Sequence, residues 1–79
     1  MTISELVNEY LSSKRLTVRE FADQVGVASH GTVINWRDGR TVPPADLLLR
    51  LASETVDWRR EFAVRALEVR YPGMIKSGG

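Results

Sequence analysis

Residues 16–43 read LTVREFADQVGVASHGTVINWRDGRTVP, and their pattern determines how the rest of the chain is interpreted. Thr17 and Glu20 have the spacing of a capping box, in which the two side chains satisfy free backbone N–H groups at a helix start. Gly26 stands where this helix would stop, because glycine adopts the left-handed conformation at little cost. The pattern therefore predicts a short helix that begins after Thr17 and ends at Gly26.

A second helix is predicted from residue 29 or 30 to about residue 38, closed by Gly39. Two helices that cross at a fixed angle need a small residue at the crossing, and Ala22 provides one. They also need an apolar residue in the turn, here Val27. The side chains expected to face the core are Phe21, Ala22 and Val25 on the first helix and Val33 and Trp36 on the second.

Helical periodicity continues on both sides of this segment. An opening helix, capped by Thr2 and Glu5, has one apolar face made of Ile3, Leu6, Val7, Tyr10 and Leu11. A fourth helix, with Pro44 in its first turn, has an apolar face made of Leu47, Leu48, Leu51 and Ala52. A last helix is predicted over about 57–71. The expectation is an all-α, compact, five-helix domain over residues 1–73, with 74–79 as a loose tail.

Composition excludes several classes of protein. The chain has 79 residues, no cysteine, one histidine and a formal net charge of +1. A chain of this length forms one domain, and it has neither thiolates nor enough histidines for a zinc site. No nucleophile–base pair or phosphate loop is present, so we expect no enzyme activity, no cofactor and no metal. Without a signal peptide or a long apolar run, the protein is expected in the cytoplasm.

The segment 16–43 resembles the phage Cro and repressor family of helix-turn-helix domains, also called the XRE type. The likeness rests on Ala22, Gly26, Val27, Val33, Trp36, Gly39 and Pro43, and extends over about residues 3–56. The turn is one residue longer than the family's, and the extra residue is Ala28 or Ser29. Val18 stands where the family commonly has glutamine, so Arg19 is expected to supply the phosphate contact at this helix start.

The resemblance implies sequence-specific binding of double-stranded DNA by a small transcriptional regulator, with a homodimer on a pseudo-palindromic operator. Asn35 matches the donor and acceptor of adenine, and Ile34 fits a thymine methyl group. The base-contact candidates are His30, Gly31, Ile34 and Asn35, and the phosphate-contact candidates are Thr17, Arg19, Ser29, Arg37 and Arg40. The alternative for these residues is an ordinary polar, solvated helix surface.

The last helix has two apolar arcs. One contains Trp58, Phe62, Ala66 and Val69, and the other contains Ala63, Val64, Leu67 and Tyr71. Since one arc is enough to dock on the domain, the second is predicted to form the homodimer interface. Two alternatives remain. The helix can be wedged into a single core, or the protein can be an interaction module that docks a larger protein partner through this helix.

Overall fold

Five α-helices and no strand make up the regular structure of residues 1–73, the part of the chain that the computed structural model describes. They are α1 (Ile3–Ser13), α2 (Val18–Val25), α3 (His30–Arg37), α4 (Ala45–Glu54) and α5 (Trp58–Arg70). The predicted all-α class and the five helices are confirmed. The predicted loose tail, residues 74–79, lies outside the described residues.

The helices form two packing units, and the first, Met1–Val42, contains α1, α2 and α3. Within it, α3 packs against both α1 and α2. The side chains that the periodicity predicted to face inward are buried on α2 and α3, namely Phe21, Ala22, Val25, Val33 and Trp36. On α1 the buried set is Ile3, Leu6, Val7 and Tyr10, whereas Leu11 is half-buried. Burial of large side chains such as Trp36 is the main source of this unit's stability.

Both predicted capping boxes are present. The hydroxyl oxygen of Thr2 accepts from the backbone N–H of Glu5 at 3.1 Å, and the N–H of Thr2 donates to the Glu5 carboxylate at 2.8 Å. The hydrogen bond from the Thr2 backbone holds the pKa of Glu5 below its usual value. Thr17 and Glu20 repeat this arrangement at the start of α2, with distances of 3.1 and 2.9 Å. Both helix starts are thus fixed locally.

The end of α2 is closed by a left-handed residue, as the sequence predicts. Gly26 has φ +80°, and its N–H bonds to the carbonyl of Asp23 at 3.3 Å. The N–H of Val27 bonds to the carbonyl of Ala22 at 3.0 Å. These two bonds form a Schellman motif, which satisfies carbonyls that the helix leaves free.

The end of α1 has the same geometry without a glycine. Arg15 has φ +54°, with its N–H bonded to the carbonyl of Ser12 at 3.2 Å and that of Leu16 bonded to the carbonyl of Leu11 at 2.9 Å. A left-handed residue with a side chain is strained. The sequence predicts that α1 ends over residues 12–15, but it does not predict the left-handed Arg15, because this segment contains no glycine.

The second unit begins at Pro43 and contains α4 and α5, which pack against each other. Pro44 is the N-cap of α4 and precedes its first turn, one position before the predicted one. Leu47, Leu48 and Leu51 are buried on α4. The guanidinium of Arg70 donates to the carbonyl of Pro43 at 2.6 Å, so the last residue of α5 is tied to the start of the unit.

The burial of α5 corrects the expectation of a free second arc. Ala63 and Leu67 are 0% and 2% exposed, Val64 is half-buried, and only Tyr71 is exposed, at 38%. The Arg70 guanidinium lies 5.2 Å from the centre of the Tyr71 ring. Since Phe62 and Ala66 of the first arc are buried as well, α5 is wedged into a core and does not present one arc to a partner.

Glycine should be preferred over alanine at the left-handed positions 15 and 26. Gly26→Ala is expected to lower the free energy of unfolding by about 1 kcal/mol, because the cost of a left-handed side chain is conformational and no atom lies within 4 Å of the added Cβ. Arg15→Gly should be more stable than Arg15→Ala by a similar amount, and the alanine variant controls for loss of the arginine side chain. Urea unfolding measures both pairs. Equal stability within either pair contradicts the prediction.

Candidate nucleic-acid interface

Four residues, Gly26 to Ser29, connect α2 and α3. Val27 is half-buried, whereas Ala28 and Ser29, the two candidates for the extra turn residue, are exposed. The Ser29 hydroxyl oxygen accepts from the N–H of Gly31 at 3.1 Å and so caps α3. The last residue of the turn is therefore also the N-cap of α3.

The rotation of α3 about its own axis is fixed by Val33 and Trp36, which are 0% and 1% exposed. At 100° per residue, the opposite side of the helix carries Gly31, Ile34, Asn35 and Asp38. Three of the four base-contact candidates are in this set; they are half-buried, whereas the fourth, His30, is exposed at the first helical position. The side chain of Asn35 makes no hydrogen bond with another described residue. The described residues therefore leave its amide open to an outside ligand.

Two phosphate-contact candidates, Thr17 and Ser29, serve as helix caps. Each hydroxyl oxygen accepts from a backbone N–H of its own helix at 3.1 Å, which leaves the hydroxyl hydrogen to donate to a phosphate oxygen. The N–H of Thr17, however, is bonded to the Glu20 carboxylate. A negative charge therefore already occupies the start of α2, and Thr17 is a weaker candidate for a phosphate contact than the sequence indicated.

The three arginine candidates differ in their surroundings. Arg19 and Arg40 are exposed, and their side chains form no ion pair or hydrogen bond within residues 1–73. Arg37 is half-buried, and its Nε lies 3.1 Å from the Asp38 carboxylate. An exposed pair of this kind is weak, but it engages Arg37 and places a carboxylate beside it. Arg19 and Arg40 are the stronger candidates for phosphate contacts.

An open groove of about 230 Å³ lies at the surface between α2 and the beginning of α3. It is lined by Arg19, Ala22, Asp23, Val27, Ala28 and His30. A phosphate-contact candidate, Arg19, and a base-contact candidate, His30, thus share one groove, with the Asp23 carboxylate beside them. The sequence did not reveal this groove, because it arises from the path of the turn rather than from the spacing along either helix.

The C-terminal end of α3 is held by two side chains of α1. Ser4 Oγ donates to the carbonyl of Arg37, and Asn8 Nδ2 donates to the same oxygen at 3.4 Å. Asn8 also donates to the carbonyl of Ser4 at 2.9 Å. We call these two residues the α1 clamp. The sequence analysis did not identify it; the only signal is two polar residues four positions apart, on one face of α1.

Past the clamp, α3 ends in a Schellman motif, as α1 and α2 do. Gly39 has φ +79°, its N–H bonds to the carbonyl of Trp36 at 3.2 Å, and the N–H of Arg40 bonds to the carbonyl of Asn35 at 2.9 Å. The predicted closing role of Gly39 is thus confirmed. Since the backbone N–H of Arg40 is bonded to α3 itself, the start of the Arg40 side chain is held beside the end of that helix.

The α1 clamp should show coupling between its two residues. Ser4→Ala and Asn8→Ala are each expected to cost about 0.5–1 kcal/mol of unfolding free energy. The double variant should cost more than the sum, because the Arg37 carbonyl then loses both of its side-chain donors. Urea unfolding measures all three. Ser53→Ala is the control, since Ser53 donates only to carbonyls of its own helix. Additive costs no larger than the control's would rule the clamp out.

Comparisons with known proteins give no relative. The sequence matches no family model and no curated protein, and the fold matches no solved structure. In residues 1–73, no three His, Cys, Asp or Glu side chains lie close enough to hold a metal ion. Among the described helices, none is long and apolar enough to span a bilayer. A function must therefore be inferred from the geometry and charges of the α2–α3 surface.

Proposed function

We propose that this chain binds double-stranded DNA sequence-specifically, with α3 in the major groove. The observation that carries the proposal is the α2–turn–α3 unit itself. Two short helices joined by four residues leave one face of α3 free of the core, and that face carries the amide of Asn35, which has no hydrogen-bond partner within residues 1–73. We interpret this unit as a helix-turn-helix, an arrangement in which the second helix enters the groove.

The size of α3 fits this role. With eight residues, it is about 12 Å long, and the major groove of B-DNA is about 12 Å wide. Its first two turns carry His30, Gly31, Ile34 and Asn35, and the first turns of a recognition helix are the ones that reach base edges. The side chains on this face are short, so they require the helix to lie deep in the groove. Gly31, which has no side chain, favours such an approach.

The charges beside α3 suit a phosphate backbone on each side of the groove. Arg19 lies at the α2 end of the surface and Arg40 lies just past the end of α3, and both are exposed without a partner in the described residues. Phosphate contacts position a protein on DNA without reading its sequence. The carboxylates of Glu20, Asp23 and Asp38 limit the net attraction. We therefore expect moderate affinity per copy, with specificity coming from α3.

A regulator that acts on a genome needs more contacts than one α3 supplies. One recognition helix reads only a few base pairs, and so short a motif occurs at too many places in a genome to specify one site. We therefore propose that two copies bind one two-fold symmetric operator, as small repressor-like regulators do, in the cytoplasm of a bacterium or of a phage-infected host cell. This pairing does not use Ala63 and Leu67 of the predicted α5 interface, because both are buried. The test is a selection from random duplex DNA, and a two-fold symmetric motif would support the pairing.

The alternative of an interaction module has its best support in the near-neutral net charge of +1. That alternative requires a second, free apolar arc on α5, and the arc is buried at Ala63 and Leu67. The DNA-binding proposal rests on the first unit alone, and does not need such an arc. We therefore propose DNA binding as the single function.

Removal of a phosphate contact should weaken binding to all sequences alike. Arg19→Ala and Arg40→Ala are each expected to reduce the slope of log K against log salt by about 1, and the double variant by about 2. Fluorescence anisotropy with a selected duplex and a scrambled duplex, between about 50 and 200 mM salt, measures these slopes.

Two variants serve as controls for the slopes. Arg37→Ala should change the slope less, because Arg37 is paired with Asp38. Arg60→Ala, an exposed arginine of the second unit, should leave it unchanged. If wild-type protein binds no duplex, the proposed function is wrong. If Arg60→Ala reduces the slope as much as Arg19→Ala does, the interface lies elsewhere.

A further inference from the structure

The face of α3 that points away from its core residues has an unusual composition for a DNA-reading surface. It consists of Gly31, Ile34, Asn35 and Asp38, which are one residue without a side chain, one aliphatic, one amide and one carboxylate. No cation belongs to this set. Arg37, the one arginine of α3, lies nearer the core side of the helix by the 100° spacing, and its Nε is bonded to Asp38.

This composition disfavours guanine. In the major groove guanine offers only two acceptors, N7 and O6, and the side chains that bind both are arginine and lysine. The carboxylate of Asp38 has acceptors only, so it is repelled by the guanine edge and can accept from an amino group of adenine or cytosine. His30 is a possible donor, but it lies at the first helical position and lines the groove with Arg19. A single imidazole N–H cannot bind both acceptors of guanine as arginine does.

The two side chains at the middle of the face favour an A·T pair. Adenine offers an acceptor and a donor that the amide of Asn35 can bind together, and thymine offers the C5-methyl group to an aliphatic side chain such as Ile34. The Asn35 amide has no hydrogen-bond partner in the described residues. Ile34 and Asn35 are successive residues, 100° apart on the helix, so they reach neighbouring bases.

We propose that α3 reads A·T base pairs, with Ile34 against a thymine methyl group and Asn35 on the adenine of the same or the adjacent pair. This inference rests on the proposed function and specifies the DNA that it selects. The operator half-site should therefore carry adenine and thymine where the middle of α3 contacts the bases. The base that faces Asp38 should not be guanine.

The test changes one group of a base in the DNA, or one side chain in the protein, at a time. A preferred motif is first selected by binding to the full chain, from a library of duplexes that have a random central segment. Each thymine of the selected motif is then replaced in turn by uracil, which lacks only the methyl group. At one thymine, wild-type protein should lose about fourfold in affinity, the value of one buried methylene-sized group. Ile34→Ala should bind the thymine and uracil duplexes equally.

Asn35 is tested in the same way with 7-deazaadenine, which lacks the N7 acceptor. Replacement of one adenine of the motif should weaken wild-type binding by about tenfold, the lower range for one bidentate contact, and should not weaken binding by Asn35→Ala. Arg19→Ala is the matched control. It should bind all these duplexes less tightly and keep both wild-type ratios. Circular dichroism confirms that each variant is folded.

The results separate this inference from the proposed function. If wild-type protein selects a motif but shows no loss with uracil at any thymine, or retains the loss in Ile34→Ala, the base assignment is wrong and DNA binding stands. A selected motif made of G·C pairs also overturns the assignment. If the wild-type chain selects no duplex at all, the proposed function fails, and the base assignment fails with it.

Discussion

The left-handed conformation of Gly26 is the constraint on which the candidate interface depends. Two backbone hydrogen bonds close α2 around it, from Gly26 and Val27 back to Asp23 and Ala22, and they set the direction in which the chain leaves the helix. The direction alone does not orient α3. Its rotation is set by the burial of its apolar residues, because a helix of eight residues has little stability of its own and takes its orientation from packing. The outward face of α3 follows from these two conditions.

Polar groups hold α3 at both of its ends. At its start the Ser29 hydroxyl accepts from the backbone N–H of Gly31, and at its last residue Ser4 and Asn8 donate to the Arg37 carbonyl. Each of these groups satisfies a backbone atom that a helix terminus leaves free. A recognition helix must present its side chains in a fixed register to the bases. The caps thus connect the stability of the first unit to the specificity proposed for α3.

Local features could be predicted from the sequence, and features made by distant residues could not. The capping boxes, the left-handed Gly26 and the inward residues of α2 and α3 depend on spacing within one element, and the structure confirms them. The left-handed Arg15 carries no glycine signal. Periodicity shows that α5 has two apolar arcs, but it cannot show that residues of both arcs are buried, because that depends on packing. For the candidate site, the pair of Arg37 with Asp38 and the clamp of Ser4 and Asn8 were not predicted. The capping box of Thr17 with Glu20 was predicted, but its competition with a phosphate contact at Thr17 was not.

The most direct test of the central claim is a map of the protein's amide chemical shifts during titration with a selected duplex. The claim is that α2, the turn and α3 form the DNA-binding surface. We expect the largest shifts at Arg19, in the turn over residues 26–29, at Ile34 and Asn35, and at Arg40, with small shifts throughout α4 and α5. Shifts concentrated in α4 and α5, or no shifts with any duplex at low salt, would contradict the assignment of α3 as a recognition helix.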